Sequence, residues 1–132
     1  MISLVLGEKT YSLGAPLEAM ALMTEHGFDR LNLNKIDAAQ CTGLWKWVNT
    51  LALIGYRIEG YTESASIRDG IIHDGVRAGI TAKQYYDLRD RRGGNICTSD
   101  ITSLLKQRNK VNDSKFLKGY LDDLNNSIIS EN

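Results

Sequence analysis

One proline, two cysteines and two histidines among 132 residues leave little of the material from which several protein classes are built. Scarce proline excludes a polyproline linker or a collagen-like repeat. Cys41 and Cys97 belong to no CxxC and no Cys/His cluster, so a disulfide scaffold and a structural zinc site are both disfavoured. No apolar run approaches the ~20 residues of a membrane span, and no basic-then-apolar start with a small-residue cleavage site marks a signal peptide. A cytoplasmic location without membrane attachment is expected. Also missing are a nucleophile elbow, an HExxH helix and the Rossmann glycine pattern, so no local motif announces an enzyme and no cofactor is expected.

What is present is ordinary globular material, 42% hydrophobic and 24% charged, in a length that suits one domain with its own core. Formal charge sums to zero but is unevenly placed. Residues 81–120 carry 9 basic and 4 acidic side chains, while the last twelve carry 3 acidic and no basic ones. Such an excess forms either a solvated helical face or a patch for an anionic partner.

The pattern predicts a mostly α protein, with an N-terminal β-hairpin over 1–14 and a compact bundle of about five to six helices over 15–129, in a single domain. "ISLVLGEKTYSL" reads as the hairpin, with Gly7-Glu8 at its turn. Pro16 suits the first position of a helix that carries Leu17, Met20 and Met23 and ends at Gly27. Asp37, with Gln40 at the capping-box position, is expected to start a central helix bearing Cys41, Leu44, Trp45, Val48, Leu51 and Ala52. Thr62 and Thr81 are further candidate caps, Thr81 having Gln84 three residues on. The helix after Thr81 stops at Gly93-Gly94, another starts near Ser99, and a last one near Ser114 carries Leu117, Tyr120, Leu121, Leu124 and Ile128.

"IRDGIIHDGVRAGI", Ile67–Ile80, holds two Asp-Gly pairs separated by only three residues, too few for a strand with a turn at each end. Wound as a helix it is amphipathic, with Gly75 and Gly79 on the apolar half where another helix could approach closely. Asp69 and His73 then lie four apart, as two metal ligands would, but no third ligand has a diagnostic spacing, so a surface carboxylate beside a histidine is preferred. "RRGGN", Arg91–Asn95, lacks the Gly-Lys-Ser/Thr of a phosphate loop and reads as a capped helix C-terminus. Lys83, Arg89, Arg91, Arg92, Lys106, Arg108 and Lys110 would suit contacts to an anion or to nucleic acid, although the connection around "GGNICTS" is too long for a strict helix-turn-helix.

Gly7, Lys9, Tyr11 and Leu13 of the hairpin, together with the element order over residues 1–80, resemble the small tail assembly chaperones of long-tailed bacteriophages. The resemblance implies a non-enzymatic, self-associating protein of the host cytoplasm that binds a tape-measure or tail-tube protein. Its interface would use Leu4, Leu6, Tyr11 and Leu13 of the hairpin with Gly75 and Gly79. The alternative is a small nucleic-acid-binding regulator using the basic segment 83–118. Because no third metal ligand accompanies Asp69 and His73, added zinc or manganese is expected to leave the melting temperature unchanged in a thermal denaturation series.

Overall fold

The computed structural model describes residues 14–97, 100–108 and 114–130, so the expected hairpin over 1–14 lies outside the described residues. Helix α1 runs Gly14–Glu25 and passes into a π-helical turn, His26–Arg30. Strand β1 is Lys35–Cys41, and a 3-10 turn at Thr42–Leu44 leads into α2, Trp45–Ala52. Strands β2, Arg57–Arg68, and β3, Ile71–Thr81, form a long hairpin. Helices α3, Ala82–Arg91, α4, Ile101–Lys106, and α5, Ser114–Ser130, complete the described chain. The sheet is antiparallel throughout, in the order β1-β3-β2.

This architecture corrects the expectation of a helical bundle, and the correction centres on residues 57–81. Asp69 and Gly70 have φ of 52° and 76°, both positive, as a two-residue hairpin turn of type I′ requires. Ile67 pairs with Ile72 and Arg68 with Ile71 on either side of it. Only this first Asp-Gly pair turns the chain; Asp74-Gly75 runs on inside β3, so the short spacing between the pairs is no obstacle to a strand. Val76, Ala78 and Ile80 alternate along β3 and are buried, which is the period of a strand rather than of a helix.

Gly75 and Gly79 therefore meet neighbouring strands, not a helix. A Cβ on Gly79 would collide with Glu59 and lie 3.0 Å from Lys35 Cε. The missing side chain lets Lys35 of β1 reach Glu59 of β2 across the central strand, at 2.9 Å. Asp37 and Gln40 belong to β1 instead of a capping box, and Thr62 lies in β2. Ile36 and Ala38 of β1 pack against the core, so pairing with β3 outweighs the helical pattern expected there.

Other expectations are met by the local chemistry. Pro16 lies in the first turn of α1. Thr81 and Gln84 form a complete capping box at the start of α3, and Gly93 and Gly94 follow its end with positive φ. For α4 the cap is Asp100, whose carboxylate accepts from the Ser103 amide at 3.0 Å.

Helices α1, α2 and α3 cover one face of the sheet. Leu17, Phe28, Leu51, Ile54, Ile80, Tyr85 and Ile96 are fully buried there, each contributing about 1.5–3 kcal/mol through removal of apolar surface from water. Two polar links tie the helices down. Thr24 Oγ1 donates to the Met20 carbonyl at 2.7 Å, which leaves the Tyr56 hydroxyl to donate to Thr24 at 2.8 Å. Asp29 accepts from Tyr85 Oη at 2.9 Å and from Arg89 at 3.0 Å, while Phe28 stacks on Tyr85 with centroids 4.8 Å apart. The Arg89 guanidinium also lies 4.7 Å from the Tyr86 ring centroid.

Gly55 has φ of 97°, and an added Cβ would lie 2.9 Å from Ile80 Cδ1 and 3.0 Å from Leu88 Cδ2. Gly55→Ala is expected to cost about 2 kcal/mol, through backbone strain and core overpacking, measured as a lowered urea midpoint at unchanged slope. Burial, and then the hydrogen bond to Asp29, push the Tyr85 phenol up to about 12 from 10.0. The folded state thus holds this proton more tightly than the unfolded chain. Its contribution is complete below the unfolded pKa and is lost as pH rises towards 12. Asp29→Asn should lower the Tyr85 pKa, read from the ring carbon shift in a pH series, and narrow that alkaline loss.

Candidate functional site

The end of α2 and the start of β2 face the outer side of α3 across a cleft of about 210 Å³. Ala52, Gly55, Tyr56 and Arg57 form one wall; Gln84, Leu88, Arg91 and Arg92 form the other. The positive φ of Gly55 turns the chain out of α2 and delivers Arg57 to the cleft as the first residue of β2. Gln84 is fixed by the capping box, where its Oε1 accepts from the Thr81 amide at 3.0 Å, leaving its amide nitrogen as a donor.

Each arginine at the end of α3 uses part of its donor fork on the backbone. Arg91 Nε donates to the Asp87 carbonyl at 3.4 Å, and Arg92 donates to the Ile96 carbonyl. Burial, reinforced by the nearby Arg91 charge, lowers the pKa of Arg92. Among the described residues neither these two nor Arg57 forms an ion pair with a carboxylate. The neighbouring cations differ. Lys83 is paired with Asp87 at 2.8 Å, and Arg89 is held by Asp29.

The basic residues singled out in the sequence are thus divided. Arg91 and Arg92 share the cleft; Lys83 and Arg89 are committed to carboxylates; Lys106 lies at the end of α4. Arg108 donates to Thr50 Oγ1 at 3.4 Å, while Lys110 lies outside the described residues, as do Leu4, Leu6, Tyr11 and Leu13. Arg57 and Gln84 were missed as site residues. A hairpin reading of residues 57–81 was the one signal that would have placed Arg57 at the mouth of a strand.

A second polar cluster lies on the β2–β3 hairpin. Asp74 accepts from the Tyr61 hydroxyl and from the Ser64 amide, the latter at 2.9 Å, and lies 3.7 Å from Lys118 of α5. Ser64 has φ of 50° where the register with β3 is irregular, so the Asp74 carboxylate holds a bulge in place. Burial first, then Asp74, pushes the Tyr61 phenol up to about 12, while the Tyr61 hydrogen bond holds Asp74 below its ordinary range. At neutral pH this pair offers a protonated phenol beside an ionised carboxylate.

Asp69 sits in the turn and His73 in β3, which dissolves the helical spacing considered for a metal. Among the described residues no group of three or more potential ligands could hold a metal ion. None of the described helices is long and apolar enough to cross a membrane.

No protein-family model and no curated protein matches the sequence. Solved structures do. A mutant form of the spermidine/spermine N-acetyltransferase from Vibrio cholerae superposes with a TM-score of 0.59 at 20% identity, over 63% of this chain and 50% of that one. The spermidine N-acetyltransferase from Vibrio cholerae in complex with CoA and spermine gives 0.58 at 21%, over 62% and 48%. A probable acetyltransferase gives 0.57 at 20%, over 61% and 45%. The chain therefore spans about half the length of the solved structures it matches. These neighbours overturn the likeness to phage tail assembly chaperones drawn from Gly7, Lys9, Tyr11 and Leu13, together with the non-enzymatic helical readings. Over about three fifths of its length the chain has the fold of these acetyltransferases.

Proposed function

We propose that this chain takes part in acyl transfer from a CoA thioester to an amine. The supporting observation is the superposition of about three fifths of the chain on acetyltransferases, one of them solved with CoA and spermine. A fold hosts many functions, so the proposal rests on the agreement among neighbours and on a test of the chemistry itself.

In this reaction the amine nitrogen attacks the thioester carbonyl carbon, the C–S bond breaks, the nitrogen gives up a proton, and the departing sulfur leaves as thiolate or takes one up. The attacking amine must carry a free lone pair, so an ammonium substrate has to lose a proton before attack. Tyr61 and Tyr85 are protonated at neutral pH, as an ordinary phenol is, and burial raises both further, so neither can serve there as a base.

Mixing the full chain with acetyl-CoA and spermidine is expected to release free thiol in step with acetylated amine, counted by thiol titration and mass spectrometry. The rate should rise over roughly pH 7 to 9 as more amine becomes neutral. Thiol release no faster than without protein, together with no heat of CoA binding in calorimetry, would refute the proposal.

A further inference from the structure

We propose that the cleft bounded by Arg57, Arg91 and Arg92 binds the dianionic phosphate of a phosphomonoester. This inference is independent of the acyl-transfer reading. Three arginines from two separate parts of the chain, the first residue of β2 and the end of α3, line one concavity of about 210 Å³. That space is several times the ~30 Å³ occupied by a water molecule in the liquid. Among the described residues no carboxylate side chain lines it.

Capping accounts for only part of this arrangement. Arginines at a helix C-terminus meet its carbonyls favourably, and Arg91 and Arg92 each donate to one backbone oxygen. A guanidinium has five N–H donors, so most of both forks remains unspent. Arg57 lies at the start of a strand beyond the end of α2, so it takes no part in capping α3. Lys83 and Arg89 pair with Asp87 and Asp29, whereas among the described residues none of these three arginines forms an ion pair with a carboxylate, Arg91 acting on Asp87 only from a distance.

Burial disfavours the charged form of Arg92, and the neighbouring Arg91 charge adds a repulsion between these two guanidiniums. A ligand that supplies two negative charges and three oxygens relieves this repulsion and matches the geometry of the guanidinium forks. A carboxylate supplies one charge and two oxygens.

Inorganic phosphate is the first probe, titrated into the full chain at constant ionic strength and followed by the arginine Nε–H signals in NMR. Saturable shifts of the arginine signals are expected, with chloride giving none. Arg57→Gln should bind phosphate about tenfold or more weakly, because one of three charge-assisted partners is lost. Lys83→Gln, outside the cleft, should bind as the parent does. Should Arg57→Gln fail to fold, Arg91→Gln, with its melting temperature checked, takes its place.

Two further ligands separate the sources of the monoester. Displacement of phosphate by CoA but not by dephospho-CoA would identify the acyl donor's own monoester. Failure of both to displace it would identify a separate phosphorylated ligand. Shifts that do not saturate, equal binding by the arginine variants, or displacement by a phosphodiester oligonucleotide more readily than by a monoester would overturn the proposal.

Discussion

Pairing of β3 on both edges is the constraint from which the rest of the described structure follows. With β1 on one side and β2 on the other, the backbone donors and acceptors of β3 are satisfied within the sheet, so Val76, Ala78 and Ile80 can be buried without stranding polar groups. Once Ile80 is buried, Gly55 must pass closely over it, α3 must start at Thr81, and Tyr85 falls over Phe28. The glycine at position 79 allows the opposite face to close with a Lys35–Glu59 ion pair across the central strand. That pair is exposed to solvent and adds little stability; the burial beneath the helices supplies most of it.

Carboxylates act in this fold mainly as connectors between distant parts of the chain. Asp29 joins the π-helical turn to α3, and Asp74 fastens a bulge of β2 while facing α5. Glu59 and Asp87 each hold a lysine. Arg57, Arg91 and Arg92 differ from these paired cations in sharing one cleft without a carboxylate ion pair among the described residues. A sum of charges along the sequence conceals that difference, since Lys83 and Arg89 contribute to the basic excess of residues 81–120 as much as the arginines of the cleft do.

The likeness to acetyltransferases is one of backbone arrangement at about one residue in five identical. It establishes how the strands and helices are disposed and leaves the side-chain chemistry to this chain's own residues. The described residues supply two tyrosines whose phenols burial raises, an ionised Asp74 beside one of them, and an arginine-lined cleft. Neither the tyrosine clusters nor the cleft is announced by a contiguous motif.

The sequence by itself determined the features set by contacts within a few residues. The proline at the start of α1, the Thr81–Gln84 box, the Gly93-Gly94 stop and the long helix from Ser114 were all legible, because caps and turns are chemistry between near neighbours. Residues 67–80 were not, since glycines tolerate many conformations and the same apolar residues fit either a helical half or an alternating face. The choice was made by β1, which lies more than thirty residues upstream of its Val76, Ala78 and Ile80 partners, and by the partial register of a bulged β2. Arg91 and Arg92 were visible as cations but only tertiary structure brought Arg57 beside them. It also withdrew Arg89 into the clamp with Asp29, because which charges are neutralised depends on distances across the fold rather than on spacing along the chain.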